Sequence, residues 1–497
     1  MLIWFLPVFL VFLMIGLPVF FGLLAAPGIL LWLNGQEKDI TLLYRNVYNG
    51  MDSFPLMAIP FFMLAGELMN KGGITERLVE FSQALMGHLR GGLAHVNILS
   101  SMLFAGLSGS AVADTSALGS MLIPAMEKQG YTRRFAAAVT AASSVIGPII
   151  PPSGIMIIYA YVMGESVAAL FLAGIVPGIL VGLGLMLVVK LMANRYDLPK
   201  AERIVKKGQT LTAKEHWASF ILLRLNLGWV FFAIFRGTTG LASGDEASAA
   251  MVWGTFAVSV VAAHFLLMGL RKTVDPDFRT VTKRAVVPLQ TPILILGGIL
   301  LGVFTPTEAA AVAVLYAIVV AFFVLNTMSM KDLPEVLSRA AMTSAVVLLL
   351  VGAAMAFKTV VSLSYAPQIL ADYILGLSEN PYILLFLINI LLFIVGMFLD
   401  AGPAIIILGP ILGPIFVDIG VHPVHFAIIM SVNLTVGLAT PPMGLVLFVA
   451  SSVAKEKVET IAKAILPFLA VEVLVIFLIT YFPAISMTIP RITGFVE

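Results

Sequence analysis

Ser143-Ser144-Val145-Ile146-Gly147-Pro148-Ile149-Ile150-Pro151-Pro152-Ser153-Gly154 and Asn433-Leu434-Thr435-Val436-Gly437-Leu438-Ala439-Thr440-Pro441-Pro442-Met443-Gly444 read almost alike. Each sets a glycine and a Pro-Pro pair inside an apolar run long enough to cross a bilayer. Subtracting 151 from 441 gives 290, and that offset also pairs Gly119 with Gly409, Pro124 with Pro414, Gly154 with Gly444 and Pro177 with Pro467, without a gap. The chain is an internal duplication. Hydrophobic segments interrupted by Gly and Pro at matched positions of two halves point to a transporter's binding site.

Proline cannot donate to the carbonyl four residues back, so the sequence predicts that Pro151 frees the oxygen of Gly147 and Pro441 frees that of Gly437. An unsatisfied carbonyl costs several kcal/mol in hydrocarbon and is tolerated only where it faces protein, water or a bound ion. A lone break of this kind reads as a kink healed by Ser or Thr side chains. Duplication of the whole pattern favours a pair of matched cation sites instead.

The 497 residues are 60% hydrophobic and 11% charged, with a mean hydropathy of +1.04, so nearly every element must be a membrane helix. The absence of cysteine excludes disulfides, thiolate metal sites and Cys nucleophiles. The start, Met1-Leu2-Ile3-Trp4, has no basic flank and stays apolar to about Leu33, which predicts a retained membrane segment rather than a cleaved signal peptide. Residues 190–214 carry seven Lys and Arg against Asp197 and Glu202, and 271–284 carry five against Asp275 and Asp277. Both segments are therefore expected on the cytoplasmic side. The link between them, Thr238 to Ser248, holds Asp245 and Glu246 and no basic residue, so one hairpin reaches the outside and returns.

Counting outward from these anchors gives spans at about 2–16, 17–33, 54–70, 133–163, 166–190, 217–236, 249–270, 285–304, 306–326, 340–361, 424–452 and 460–482, with both termini outside. The broken spans 133–163 and 424–452 then run in opposite directions, which makes the repeat inverted. Segments 91–126 and 380–418, one before each broken span, are too long for a single crossing and read as re-entrant hairpins opening to opposite faces. Stretches 39–52 and 74–90 have the pattern of helices lying along the interface, either bracing a moving part or serving as linkers.

At the first hairpin tip, Ser108, Ser110 and Asp114 stand among flexible glycines at the start of a returning helix, where capping, ion coordination and anion attraction are all open to them. At the second tip Asp400 falls opposite Ser110 and has the same alternatives. The carbonyls of Gly147 and Gly437, with Ser108, Ser110, Ser143, Asn433, Thr435, Thr440 and Asp400, supply oxygens and neither nitrogen nor sulfur, a set suited to sodium. Glu308 is expected to cap a helix. Lys358 has three readings: a buried carboxylate partner, the interface, or an anionic substrate. The six histidines show no metal spacing, and no Walker, redox or Ser-His-Asp pattern occurs, so nothing points to an enzyme.

Gly106-Leu107-Ser108-Gly109-Ser110-Ala111-Val112-Ala113-Asp114, the two Pro-Pro segments, and Gly302-Val303-Phe304-Thr305-Pro306-Thr307-Glu308-Ala309-Ala310 closely resemble the large membrane (M, DctM-like) subunit of the tripartite ATP-independent periplasmic (TRAP) transporters. The likeness runs along 1–205 and 285–497. It implies an all-α polytopic membrane protein of elevator type in a bacterial inner membrane, importing a small organic anion with Na+ as coupling ion. The implied partners are a small membrane subunit (Q type) and a periplasmic substrate-binding protein (P type), with no nucleic acid. Position by position, it implies one sodium site at Ser108, Gly147, Ile150 and Pro152, and its inverted counterpart at Gly402, Gly437, Thr440 and Met443. It places substrate near Ser110, Asp114, Ser153, Asp400 and Pro441. Residues 206–284, with the hairpin 217–270, look like an insertion relative to most M subunits, and are expected to be static and to contact another membrane subunit or lipid. Two other classes remain: a stand-alone sodium-coupled carboxylate transporter, and an intramembrane protease using Asp114 and Asp400, neither of which lies in a Gly-x-Gly-Asp setting.

Overall fold

The computed structural model describes residues 4–195, 198–199, 211–239, 249–363 and 380–496, with 372, 376 and 378. The expected outer turn at 240–248 and most of the basic stretch 196–210 lie outside the described residues. The described residues are helical, without strands, as the composition requires. Among the described residues, nine helices are long and apolar enough to cross a membrane, or ten if the pair 39–51 and 55–71, bent by 60°, is one span.

The first half runs through α1 (Phe5–Met14), α2 (Val19–Leu33), α3 (Glu37–Met51), α4 (Ala58–Lys71), α5 (Ile74–Met86), α6 (Gly92–Ser108), α7 (Ala111–Lys128), α8 (Arg133–Ser144), α9 (Gly154–Met163) and α10 (Val167–Arg195). The hairpin between the halves is α11 (Ala213–Thr239) and α12 (Ala249–Leu270). The second half follows as α13 (Pro276–Leu300), α14 (Pro306–Ile318), α15 (Leu333–Leu363), α16 (Pro381–Phe398), α17 (Ala401–Asp418), α18 (Pro423–Gly437), α19 (Leu445–Ala454), α20 (Val458–Tyr481) and α21 (Ala484–Ile492).

The segments 91–126 and 380–418 each fold as two helices joined by two residues, Gly109-Ser110 and Leu399-Asp400. The offset of 290 carries α7 onto α17 residue for residue. Both apolar runs around the Pro-Pro pairs are interrupted, α8 from α9 and α18 from α19, and the Pro151-Pro152 and Pro441-Pro442 peptides are cis. The helices at 39–52 and 74–90 appear as α3 and α5.

Some boundaries differ from the sequence reading. The span expected at 285 begins at Pro276, because the Asp275 carboxylate accepts the N–H groups of Asp277 (2.8 Å) and Phe278 (3.3 Å) and Pro276 fits the first helical position. Charge marks where apolar residues begin, not where the backbone starts to coil. Helix α14 opens at the expected cap: Thr305 and Glu308 form a reciprocal capping box. Its span finishes as a π-helical segment, Val319–Val324. Helix α21 has no counterpart in the sequence reading; its apolar face covers α10 and α18.

Two packing sets emerge. In one, α15 gathers α2, α3 and α4, α14 packs on α4, and α13 packs on α5 and α11. Asn46 of α3 donates to Thr359 of α15 (2.8 Å), a polar tie of the kind that holds helices together in lipid. In the other, the two halves interlock: α7 lies on α19, α9 on α17, and α8 on α20. The sets meet where α5 packs on α6, where α13 touches α6 and α10, where α4 touches α6 and α9, and where α15 touches α9 and α17.

Candidate translocation site

At the first hairpin tip, Ser110 caps α7, its Oγ accepting the Ala113 N–H (3.4 Å). One turn on, Asp114 is fully buried, and one of its carboxylate oxygens accepts a hydrogen bond from the Ser108 hydroxyl. The other oxygen, Oδ2, has no hydrogen-bond partner among the described residues and is pressed against the break: a Cβ added to Gly147 would lie 2.5 Å from it. Gly109 adopts φ of +59°, and a Cβ there would come within 2.5 Å of the Pro152 carbonyl. Only glycine allows this approach at that backbone conformation. The tip and the break are thus one structure, gathering Ser108, Asp114, Gly147 and Pro152, while the Ile150 side chain packs on Gly178 of α10.

The remaining first-half candidates have other attachments. Ser143 accepts from Ser101 (2.9 Å) and reaches Asn97 (3.3 Å), which in turn donates to Thr140 (2.6 Å), so this network ties α6 to α8. Ser153 caps α9 through the Met156 N–H (3.4 Å) and donates to the Pro148 carbonyl (2.5 Å).

In the second half, the Asp400 carboxylate accepts the Ala401 N–H (2.8 Å) at the start of α17. Asn433 donates to Asn389 (2.6 Å), which donates to Thr480 (3.1 Å). Gly437 lies against Gly396 of α16, where an added Cβ would sit 2.6 Å from backbone. The expectation of a free Gly437 carbonyl needs correction: Thr440 N–H turns back to it (2.9 Å), because the break tightens into a three-residue turn that replaces the donor missing at Pro441. One lone pair of that oxygen remains. The Thr440 hydroxyl donates to Val436 O (2.9 Å), leaving its own lone pairs free to accept. Met443 is 56% exposed, while Gly402 is buried.

A cavity of about 400 Å³ lies between the two tips. Ala111 and Val112 of α7, Gly154 and Ile155 of α9, and Ala401 and Gly402 of α17 all line it, so the first turns of three helices converge there. Each first turn carries N–H groups without an intrahelical partner, and the helix dipole adds partial positive charge. Ser110, Asp400 and Gly402 face this space; Asp114, Ser153 and Pro441 do not line it. Asp114 is on the α7 face turned to the break, and Ser153 is buried by its own cap. The far wall comes from Met63 of α4 and from Met342, Thr343 and Val346 of α15, which the sequence reading did not single out. Their only sequence signal is one hydroxyl, Thr343, among apolar residues.

Two ionisable groups complete the picture. Lys358 of α15 donates to the carbonyl of Val162 at the end of α9 (2.5 Å), joining the two packing sets rather than meeting the cavity. Glu472 of α20 is fully buried, with no hydrogen-bond partner on either oxygen among the described residues.

An all-helical chain with broken helices, paired hairpin tips and a cavity walled by helix N-termini is a membrane transport permease. The family description "Tripartite ATP-independent periplasmic transporter, DctM component" matches residues 6–274 and 247–485, and the chain belongs to that family. It is similar to the sialic acid TRAP transporter large permease protein SiaM of Vibrio cholerae, 35% identical over 480 residues, covering 96% of this chain and 95% of that one. It is also similar to the C4-dicarboxylate TRAP transporter large permease protein DctM of Pseudomonas aeruginosa, 35% identical over 473 residues, covering 95% and 94%. The solved structure of the YdaH transporter of Alcanivorax borkumensis aligns with a TM-score of 0.56 at 17% identity, covering 93% of this chain and 90% of that chain, a likeness of fold. The chain is a multi-pass transporter subunit and not an enzyme.

Proposed function

We propose that this chain is the translocating subunit of a sodium-coupled importer of a small carboxylate, sugar acid or sulfonate in a bacterial inner membrane. It would receive its substrate from a periplasmic binding protein and work beside a small membrane subunit. The observation that carries the reading is the convergence of three helix N-termini on one cavity. No Lys or Arg among the described residues lines it, so the backbone is what would attract an anion.

Sodium enters as co-substrate. The buried Asp114 carboxylate, with Oδ2 unpartnered beside Gly147, is an anion that a hard cation would complete; Ser108 donates to its other oxygen, and the Pro152 carbonyl lies against Gly109 of the same tip. The second set is Gly402, Gly437, Thr440 and Met443, with Asp400 at the cap. In this reading α6 to α10 and α16 to α20 form an inverted pair that moves as a unit against α2 to α5 and α13 to α15. The matched helix boundaries and the interlocked packing of the halves support it.

Uptake into vesicles is expected to require an inward sodium gradient and to proceed without ATP. Equal uptake with choline replacing sodium would overturn the coupling. Thr440→Val should raise the sodium concentration for half-maximal uptake severalfold while lowering stability by only about 1 kcal/mol, since it removes one hydrogen bond and one oxygen at nearly constant volume. Sodium titration of transport beside thermal melts tests this; an unmoved sodium dependence removes Thr440 from the ligand set.

A further inference from the structure

The hairpin between the halves carries a second, unassigned cavity of about 520 Å³, formed by the base of α11, the end of α12 and the start of α13. Arg224, Arg271, Arg279 and Lys283 line it, with His216 and His264, and no Asp or Glu is among the lining residues. Three nearby carboxylates are engaged elsewhere. Glu215 pairs with Arg77 (2.5 Å), Glu80 with Arg284 (3.2 Å), and Asp275 caps α13.

Arg224 is the most constrained of the four. Its Nε donates to His264 Nδ1 (2.9 Å), its Nη1 to the Phe220 carbonyl (2.8 Å), and its guanidinium stacks 3.3 Å from the Phe220 ring centroid. Two of five donors are thereby used, and the group stays charged within a helix read as a membrane span. The other walls are apolar, from Phe220, Leu223, Leu267 and Met268. Trp217 and Phe265 beside them are more than 60% exposed. A notch with cations at its mouth and hydrocarbon beneath fits an amphiphile with an anionic head.

We propose that this cavity binds the phosphate of an anionic phospholipid from the cytoplasmic leaflet. Guanidinium forks suit phosphate oxygens, and a basic pocket between membrane helices on the cytoplasmic side is where such headgroups are held. A headgroup with its own ammonium would bring a fifth cation to the cluster, so phosphatidylglycerol is favoured over phosphatidylcholine. The lipid would fasten α11 and α12 to α13, the helix on which α11 packs most extensively after α12.

The test is native mass spectrometry and thermal melting of the full chain, with phosphatidylglycerol or phosphatidylcholine titrated into detergent. Phosphatidylglycerol is expected to stay bound and raise the melting temperature at concentrations at least tenfold below those needed with phosphatidylcholine. Arg224→Gln with Arg279→Gln should abolish that preference, and Arg279→Gln alone, where the side chain makes neither the His264 bond nor the Phe220 stacking of Arg224, should weaken it if the double variant fails to fold. Lys214→Gln with Lys272→Gln, outside the cavity, should leave it intact. Equal response to both lipids, or a preference that survives the Arg279 change, overturns the site. Stabilisation of the same size by millimolar inorganic phosphate alone would make the ligand a soluble phosphate and overturn the lipid source.

Discussion

Asp114→Asn is expected to abolish sodium-driven uptake while leaving a folded protein. The substitution keeps the shape of the side chain and an oxygen for the Ser108 hydroxyl, and replaces the charged second oxygen with a neutral amide NH2. A carboxylate buried without a cation partner is a cost to the fold, so the variant without sodium should be as stable as the parent or more so. With sodium the order reverses. If Asp114 is an ion ligand, losing its charge removes about 2–5 kcal/mol of binding, at least ~30-fold in sodium affinity. The parent at sodium ~100 times its dissociation constant should gain about 2.7 kcal/mol of stability from the ion, and the variant at most about 0.9 kcal/mol. Melting curves in sodium and in choline, beside vesicle uptake, measure both effects. A variant that still gains stability from sodium like the parent would mean that Asp114 serves α7 and not the ion.

The sequence made the frame of this site legible because duplication turns single residues into matched pairs. One offset located both breaks and both tips, and these are periodic, local features that hydropathy and proline chemistry report directly. Partner choice was less legible. Asp114, which the family resemblance places near substrate and whose place at a tip leaves capping and ion coordination open, is turned to Gly147 because it lies one helical turn beyond Ser110, on the face toward the break. The far wall of the cavity comes from α4 and α15, whose Met63, Met342 and Val346 look like any membrane-helix residues. Arg271, Arg279 and Lys283 were visible as one basic flank of the hairpin, yet only tertiary packing brings Arg224 of α11 to them. Local signals place elements; which faces meet depends on contacts between residues far apart in the chain.

Gly147 and Gly437 show how far apart two matched positions can be in physics, and the same substitution should separate them. A Cβ at Gly437 meets the backbone of Gly396, with Cα and carbonyl carbon both at 2.6 Å, and on the other side of the contact a Cβ at Gly396 would meet the Leu434 carbonyl at 2.7 Å. Backbone cannot rotate away, so α16 and α18 would have to part along their contact. Overpacking of this kind costs about 1–3 kcal/mol and occasionally more, and here the upper end or beyond applies because both surfaces are main chain. Gly437→Ala should therefore reduce the yield of monodisperse protein and lower its melting temperature. At Gly147 the obstacle is the Asp114 carboxylate, the mobile end of a side chain, at 2.5 Å. Gly147→Ala should leave folding nearly intact but push that carboxylate out of place, with loss of uptake and of sodium-dependent stabilisation. Size-exclusion profiles, melting curves and uptake of the two variants side by side decide the matter. If Gly147→Ala is the one that fails to fold, or Gly437→Ala folds as well as the parent, the assignment of a yielding side-chain contact to Gly147 and a rigid backbone contact to Gly437 is reversed.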